Sequence, residues 1–477
     1  MASAASDSPL PGLDHQRCYE ALLSRDPRFD GRFYVGVSTT GIYCRPICRV
    51  RAPRASSCSF YSTAAAAEAQ GYRPCLRCRP ELAPGLSWVD SPDALARAAA
   101  KLLDRGEVQQ LPELAQRVGV SERHLRRVFH AHFGVTPIAY AQTQRLLLAK
   151  RLLTDTRLPI AEVAWMSGFA SLRRFNALFR ERYRLAPGDL RKGEAGSLHI
   201  DLSLDYRPPY DWDSILAFLR ARAVPGVEAV DADSYRRCLR LGDVAGWVSV
   251  RHAPEQSRLW LRLAPELRGH VAATLAIVRR QFDVDTDPAV VAATLGALAE
   301  PYPGLRLPGA VDGFEQAVRA VLGQQVSVAA ATTLAGRLAQ RYGEALATPY
   351  ADLSRVFPRP QTLLAASVDD LVSLGILRAR AATIRAIADA MLAGQLRLDA
   401  DAPIEHTLAA LRALPGVGEW TAQYIAMRCL SWPDAFPHTD LIVRRALGDR
   451  TPKAILAEAE RWRPWRAYAT LQLWRQS

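Results

Sequence analysis

Cysteine is scarce in this chain. Eight in 477 residues are too few to staple a fold of this length, which excludes a disulfide-built scaffold and points to a reducing compartment. Long apolar runs are missing too: no stretch of about 20 apolar residues exists, so no membrane-spanning helix is expected. Met1 leads into a short polar segment rather than the charged-then-apolar pattern of a secretory signal. Acidic residues are outnumbered, with 48 Asp and Glu against 61 Lys and Arg, a formal net charge of +13 and a pI of about 9.6. An excess of that size suits a polyanionic partner, nucleic acid or a membrane surface. The length suits about three domains with ample cores. A soluble, cytoplasmic protein is expected, with no membrane partner.

What is present is most legible between Leu411 and Leu447. An apolar helix-period run ends at Leu414, and Pro415-Gly416-Val417-Gly418 makes a turn expected to fit only glycines comfortably. A new helix is expected near Glu419. Such a turn aims unpaired backbone N–H groups at one point, which makes Gly416 and Gly418 candidates for holding a DNA phosphate. Read alone, the same Gly-x-Gly is an ordinary turn between two helices. Trp420 and Tyr424 lie four apart on one helical face, and Asp440 follows at the end of the Phe436-Pro437-His438-Thr439 loop. An aromatic slot beside a carboxylate suits a base flipped out of the duplex.

On these residues the stretch resembles the helix-hairpin-helix DNA glycosylases, most closely the alkylation-repair branch typified by 3-methyladenine-DNA glycosylase II. The resemblance implies that Asp440 is catalytic. It also implies a monofunctional hydrolase, because bifunctional members carry a Schiff-base Lys where this chain has Trp420, and without an amine no imine forms. The endonuclease III-like branch holds a C-terminal four-cysteine iron–sulfur cluster, whereas only Cys429 lies beyond this hairpin. Further matching words are Tyr206-Arg207-Pro208-Pro209-Tyr210-Asp211-Trp212, Gly304-Leu305-Arg306-Leu307-Pro308-Gly309, Gly323-Gln324-Gln325-Val326 and Trp462-Arg463-Pro464-Trp465. The resemblance implies that Trp420, Tyr424 and Trp474, with Phe218, line an electron-rich cleft that selects cationic alkylpurines by cation–π attraction. Gln325 stands where the enterobacterial type protein wedges a Leu into the duplex, and is expected to fill the gap left by the flipped base.

Four of the cysteines have metal-site spacing. Cys44-x3-Cys48 and Cys75-x2-Cys78 can supply a closed tetrahedral thiolate site for one zinc ion; the alternative is four free buried thiols. Cys18 and Cys58 fall outside the pattern and are expected to be ordinary small core or surface residues. The words GIYCRPIC, SFYSTAAAAEAQGYRP and PCLRC resemble the N-terminal domain of the Ada adaptive-response family. That resemblance implies that Cys44 is a zinc ligand and also a nucleophile, taking a methyl group irreversibly from a methylphosphotriester in DNA. Zinc keeps such a thiol deprotonated at neutral pH, and the methylated centre is expected to switch DNA binding. The Pro-Cys-His-Arg site that ends the complete Ada protein does not occur in this chain.

Between these two regions a helix-turn-helix pattern is repeated. Ala115 and Gly119 match Ala164 and Gly168, and Leu125, Phe129, Phe133 and Pro137 match Phe175, Phe179, Tyr183 and Pro187. The apolar positions mark the buried face of each second helix. They leave Arg123, His124, Arg126 and Arg127 in one copy, and Arg173, Arg174 and Asn176 in the other, available to solvent or DNA. The pair, ending in GVTPIAY and RLAPGDLR, resembles the AraC-type DNA-binding domain, which implies transcription activation, promoter DNA and RNA polymerase as partners, and residence on a bacterial nucleoid.

The expected fold class is multidomain α+β. A disordered-looking start, Met1 to Pro11, opens a small zinc-bound α/β domain over 1–84. An all-α double helix-turn-helix domain follows over 87–192, with a linker from Asp189 to Ser197. Alternation at Leu198, Ile200, Leu202 and Leu204, and the runs Trp247–Val250 and Leu259–Leu263, give a small antiparallel β domain over 198–300. Helical patterns, expected from Ala289 onward, give a helix-hairpin-helix glycosylase domain over 301–477. The expected function is a fused alkylation sensor, regulator and glycosylase. The rival reading is a pure regulator whose last domain binds damage without turning it over.

Overall fold

The computed structural model describes residues 14–84, 94–106, 108, 110–156, 158–190, 200–448 and 450–476. The disordered-looking start, Leu198, residues 191–197 of the expected linker and the expected boundaries at 87, 192 and 198 lie outside them. The chain divides into two compact units, one of Met1–Pro208 with Gln256–Arg258 and Arg268–Ala276, the other of Pro209–Glu255, Leu259–Leu267 and Ile277–Ser477. Among the described residues no helix is long and apolar enough to cross a membrane.

In the first unit, Thr39-Thr40-Gly41 turns the chain back on itself: the Thr40 and Gly41 N–H groups donate to the Val37 carbonyl, and Gly41 takes φ +63°. Strand Tyr34–Val37 therefore pairs antiparallel with Ile42–Cys44, which sets Val35 opposite Cys44, and on its other side with Cys58–Tyr61. Arg73–Pro74 adds a parallel edge next to Ile42–Cys44. Cys18 and Cys58 are in the core with Phe33 and Val35. Burial raises the Cys18 thiol to about 12 and also raises that of Cys58, so neither competes as a nucleophile.

The repeat read from the sequence is present. Helices Leu111–Arg117 and Glu122–Phe133 form one copy, Ile160–Met166 and Leu172–Tyr183 the other, and the 19-residue helix Pro137–Asp155 runs between them. Each copy bends at a glycine with positive φ, Gly119 at +74° and Gly168 at +81°, where a side chain would be strained. Ser121 and Ser171 cap the second helices through His124 and Arg174 N–H. Leu125, Phe129 and Phe133, and their counterparts Phe175, Phe179 and Tyr183, are buried. A buried ion cluster joins the long helix to the segment after the last cysteine. In it, Lys150 pairs with Glu81 at 2.5 Å, and Arg79 with Glu81 at 2.9 Å and Asp155 at 2.6 Å.

The second unit opens with helix Trp212–Arg220, capped by Asp211, then strands Glu228–Val230, Ser234–Leu241 and Val244–Ala253 pair antiparallel in sequence order, with Arg258–Leu263 beside Val244–Ala253. Helices begin earlier than the sequence reading has them: Trp212–Arg220 and Val271–Gln281 both precede Ala289. The alternation at the neighbouring strands masks them, since a helix of three turns leaves few periodic positions to count. Thereafter helices dominate, among them Gly313–Leu322, Val328–Tyr342, Arg378–Leu392, Ile404–Ala413, Glu419–Cys429, Leu441–Ala446 and Arg466–Gln476. The helix Glu419–Cys429 is the pillar of this unit: Ala422, Ile425, Ala426, Met427 and Cys429 are almost wholly enclosed in its core.

Candidate catalytic cleft and metal centre

The hairpin turn sits between Ile404–Ala413 and Glu419–Cys429, as its residues indicate. Gly416 has φ +81°, and a Cβ there would come 2.1 Å from the Thr383 hydroxyl, which donates to the Pro415 carbonyl at 2.9 Å. Gly418 differs from expectation. Its φ is −87°, and an added Cβ would meet nothing within 4 Å, so only one of the two glycines is demanded by the fold. Gly418 is the N-cap residue yet supplies no capping side chain, which leaves the first N–H groups of the helix to an outside acceptor. Gln324 braces the turn, its amide donating to the Gly416 carbonyl and the Thr421 hydroxyl, both at 2.9 Å. Next to it Gln325 is exposed with φ +52°, a strained conformation for a non-glycine at a loop tip.

Asp440 caps helix Leu441–Ala446. Its Oδ1 accepts the backbone N–H groups of Ile442 at 3.0 Å and Val443 at 3.2 Å. Two indoles complete the shell: Trp474 Nε1 donates to Oδ1 at 3.0 Å and Trp420 Nε1 to Oδ2 at 2.8 Å. Two of the four expected aromatics, Trp420 and Trp474, thus converge on the expected carboxylate, and through hydrogen bonds rather than proximity alone. Three donors fall on Oδ1 and one on Oδ2. Each carboxylate oxygen offers about two acceptor positions, so Oδ1 is fully engaged and Oδ2, with its single donor, keeps one to spare. The nearby His438 is partly exposed.

The aromatic cleft is arranged differently from a set of open faces. The Trp420 and Tyr424 rings lie parallel within 7° with centroids 5.2 Å apart, so they stack on each other; Trp474 is tilted 51° to Tyr424 at 6.2 Å. Phe218 does not offer a free face: the Arg222 guanidinium lies 3.8 Å from its centroid and that of Arg428 4.9 Å. Arg428 also donates to the Tyr424 hydroxyl at 3.0 Å. Burial alone would raise that phenol, but Arg428, with Arg222 and Arg319, outweighs it and lowers it. The cation–π partners of Phe218 are therefore the protein's own arginines. Sequence reasoning missed Gln324, Thr383, Arg222 and Arg428: Gln324 and Thr383 meet partners 92 and 32 positions away, and Arg222 and Arg428 meet Phe218 and Tyr424 at a spacing of four that no motif word marks.

In the first unit the four expected ligand cysteines come together, with their sulfurs within 4.8 Å of one another. The sheet does this: Cys44 ends its strand, the Cys48 N–H closes a turn onto the Arg45 carbonyl, and the Cys75 N–H donates to the Tyr43 carbonyl at 3.0 Å. Four thiols so close cannot all ionise unaided. Hydrogen bonds from Cys48, Cys75 and Cys78 push the Cys44 thiol up, while Cys44 draws that of Cys48 down to about 7. A divalent soft-ligand cation resolves the conflict, and an all-sulfur set at this spacing fits zinc.

The candidate DNA-reading residues are on the outer faces of the two second helices. Arg123, Arg126, Arg127, Arg173 and Arg174 are exposed and His124 and Asn176 half-exposed. Arg126 pairs with Glu122 at 3.3 Å and Arg127 contacts the His124 ring at 3.1 Å. Surface contacts of this kind are worth little and yield readily to a phosphate.

Four family models match the chain: "Metal binding domain of Ada" over 17–81, "Helix-turn-helix domain" over 114–193, "AlkA N-terminal domain" over 201–312 and "HhH-GPD superfamily base excision DNA repair protein" over 318–466. The "Probable bifunctional transcriptional activator/DNA repair enzyme AlkA" of Mycobacterium tuberculosis is 41% identical over 97% of this chain and 96% of its own. The "DNA-3-methyladenine glycosylase 2" of Escherichia coli is 41% identical over 57% of this chain and 96% of its own. "Bifunctional transcriptional activator/DNA repair enzyme Ada" of Escherichia coli is 42% identical over 29% of this chain and 37% of its own. Among solved structures, the "3-methyladenine dna-glycosylase from Archaeoglobus fulgidus" superposes with a TM-score of 0.51 at 21% identity, over 57% of this chain and 97% of that one.

Proposed function

Because the chain belongs to the family of bifunctional transcriptional activator/DNA repair enzymes of the AlkA type, we propose how its parts divide the work. It is an alkylation-repair DNA glycosylase joined to an Ada-type zinc sensor and an AraC-type activator. We assign Asp440 as the catalytic carboxylate, and its four N–H donors carry that assignment. In hydrolysis a water oxygen bonds to C1′ and gives up a proton to solvent, while the N-glycosidic bond breaks and its electron pair leaves with the base. A cationic alkylpurine departs neutral, so no strong general acid is needed. Positive charge builds on the sugar meanwhile, and a fixed carboxylate can stabilise it or orient the water. Oδ2, with its spare acceptor position, is the oxygen for that task. Trp420 and Tyr424, already stacked, act as one wall of the base slot and Trp474 as the other. Phe218 carries Arg222 at the margin. Gln325 fills the vacated stack, and Gly416 and Gly418 hold a phosphate at the hairpin.

In the sensor, Cys44, Cys48, Cys75 and Cys78 would hold one zinc ion, which keeps sulfur in its thiolate form. Cys44 takes the methyl group. Methylation removes negative charge facing DNA, and Arg123, Arg126, Arg127, Arg173, Arg174 and Asn176 then bind promoter DNA in two successive major-groove segments. As an activator the protein meets RNA polymerase and resides on the nucleoid. The module extents are 1–84, 87–192, 198–300 and 301–477. Incubation with methylated DNA, scoring free bases and protein-bound methyl separately, tests both chemistries at once. Free 3-methyladenine together with methyl on Cys44 is expected; methyl on the protein with no free base would favour a regulator whose glycosylase domain only binds.

A further inference from the structure

A buried ion cluster next to the cysteines has no part in the reading above. Arg45 follows Cys44, and its side chain is 3% exposed. It donates from Nε to Asp30 Oδ1 at 2.8 Å and from Nη2 to Asp30 Oδ2, and from Nη1 to Asp205 Oδ2 at 2.9 Å and the Cys78 carbonyl at 3.2 Å. Its backbone N–H points at Cys78 Sγ, 3.3 Å away. One residue thus touches a ligand sulfur with its backbone and two carboxylates with its side chain. Asp30 lies within the zinc-domain match, 17–81, but Asp205 ends strand Ile200–Asp205 and lies within the AlkA-type match, 201–312. Arg258 pairs with Asp205 from the other side at 3.2 Å. The strand is anchored in the same unit by Arg151, which donates to the Ser203 carbonyl. Beside Asp30, Gly31 packs so tightly that a Cβ would lie 1.9 Å from the Pro84 carbonyl and 3.2 Å from Arg207.

We propose that Asp205 is a positioning residue for methyl transfer at Cys44, so that the acceptor centre of this chain is completed, through Arg45, by a carboxylate from its glycosylase-type segment. The inference rests on Cys44 being the acceptor. In the reaction a Cys44 sulfur lone pair attacks the methyl carbon. The S–C bond forms as the C–O bond to the phosphotriester breaks, and the phosphodiester leaves as an anion with that pair; no proton moves. The rate follows the basicity of the sulfur. A buried guanidinium must be compensated. With Asp205 in place the Arg45 charge is drawn toward two carboxylates. Without it the same cation faces the thiolates less compensated, stabilises them, and makes them poorer nucleophiles. Asp205 also fixes where the Arg45 N–H meets Cys78.

The test uses full-length protein loaded with zinc, or with cobalt(II) for spectroscopy, as wild type, Asp205→Asn and Asp205→Glu. Isotopically labelled methyl iodide replaces DNA, so that the readout is sulfur reactivity rather than DNA affinity, and peptide mass spectrometry locates the methyl group. Per metal-loaded molecule, Asp205→Asn should alkylate Cys44 about threefold more slowly, the effect of one unit of thiolate basicity at the usual nucleophilicity slope. The cobalt–thiolate charge-transfer band should shift with it, and Asp205→Glu should recover both. A wild-type rate and unshifted band in Asp205→Asn, even with a lowered melting temperature, would mean that Asp205 is structural only, and would overturn the proposal. Methyl on another cysteine of the wild type would overturn the acceptor reading itself, and is told apart by its location.

Discussion

At the scale of single residues, the shell around Asp440 makes its replacement informative. Asp440→Asn removes the charge, and because Oδ1 accepts three N–H groups the amide oxygen must stay there. The new NH2 then faces the Trp420 indole N–H, donor against donor. Single-turnover release of 3-methyladenine should fall about a hundredfold, roughly 3 kcal/mol of transition-state stabilisation. Trp420→Phe separates the two effects, since it drops the same hydrogen bond but keeps the carboxylate. Binding to an abasic-site duplex should survive both changes, and near-normal release by the Asn variant would refute the assignment. The two hairpin glycines give a second contrast. Gly416→Ala forces a methyl group against Thr383 at a positive φ, which should cost about 2 kcal/mol in thermal unfolding. Gly418→Ala should melt like wild type but bind the duplex more weakly, because its methyl projects into the open space before the hairpin N–H groups. Equal melting of the two variants would contradict this division. The carboxylate, the two tryptophans and the cysteines were legible in the sequence because each sits in a local word with a spacing. Arg428 and Arg45 were not, because the fold brings up their distant partners, Phe218 and Asp205: Arg45 and Asp205 are 160 positions apart.

At the scale of elements, helix Ala64–Ala69 and helix Pro137–Asp155 meet at a buried carboxylate. Glu68 accepts from the Tyr43 hydroxyl at 3.1 Å and the Thr143 hydroxyl at 2.9 Å, and burial nevertheless raises it to about 7. In the unfolded chain the same group titrates near the ordinary value, 4.5. The folded state therefore binds the extra proton between these values, and stability falls as pH rises from about 4.5 through about 7. Glu81 works in the opposite sense: burial opposes its ionisation, but Lys150 and Arg79 outweigh that and lower it, so its contribution is present at neutral pH and lost in acid. Glu68→Gln should accordingly raise the melting temperature at pH 8 and leave it little changed near pH 4.5. A gain of the same size at both pH values would show that Glu68 does not titrate as argued. On the recognition helices, Arg123→Ala or Arg173→Ala should reduce the slope of log affinity against log salt by about 1 if the residue contacts a phosphate. Loss of discrimination between sites at an unchanged slope would indicate base contact instead. The duplicated helices could be read from the sequence because each repeats its buried period, whereas Val271–Gln281 could not, lying where strand alternation and helix period run together.

At the scale of the molecule, the metal centre has to hold together a part of the first unit that is too small to hold itself. The core around Phe33 and Val35 contains few large side chains, and domains this small usually need a metal or a disulfide. Zinc binding to four thiolates supplies on the order of 10 kcal/mol in comparable small sites. Strand Ile42–Cys44, to which Tyr34–Val37 is paired, and the Cys75–Cys78 turn are joined at those sulfurs, so chelation should release them together. The loss should then spread along a defined route. Arg79 follows the last ligand and pairs with Glu81 and Asp155, and Glu81 pairs with Lys150. Once that segment loosens, Lys150, 1% exposed, is left with a buried charge and no partner, a loss that costs several kcal/mol. Hydrogen exchange after treatment with a chelator should therefore show faster exchange in Tyr34–Val37 and Ile42–Cys44, then in Pro137–Asp155. Helix Glu419–Cys429 has its own core, built from Ala422, Ile425, Ala426 and Met427 and their neighbours, and includes no residue of the metal centre. Its amides should stay protected, and 3-methyladenine release should continue at the metal-loaded rate. Parallel loss of base release on chelation, or protection of Pro137–Asp155 without metal, would show that the two units do not keep separate accounts of their stability.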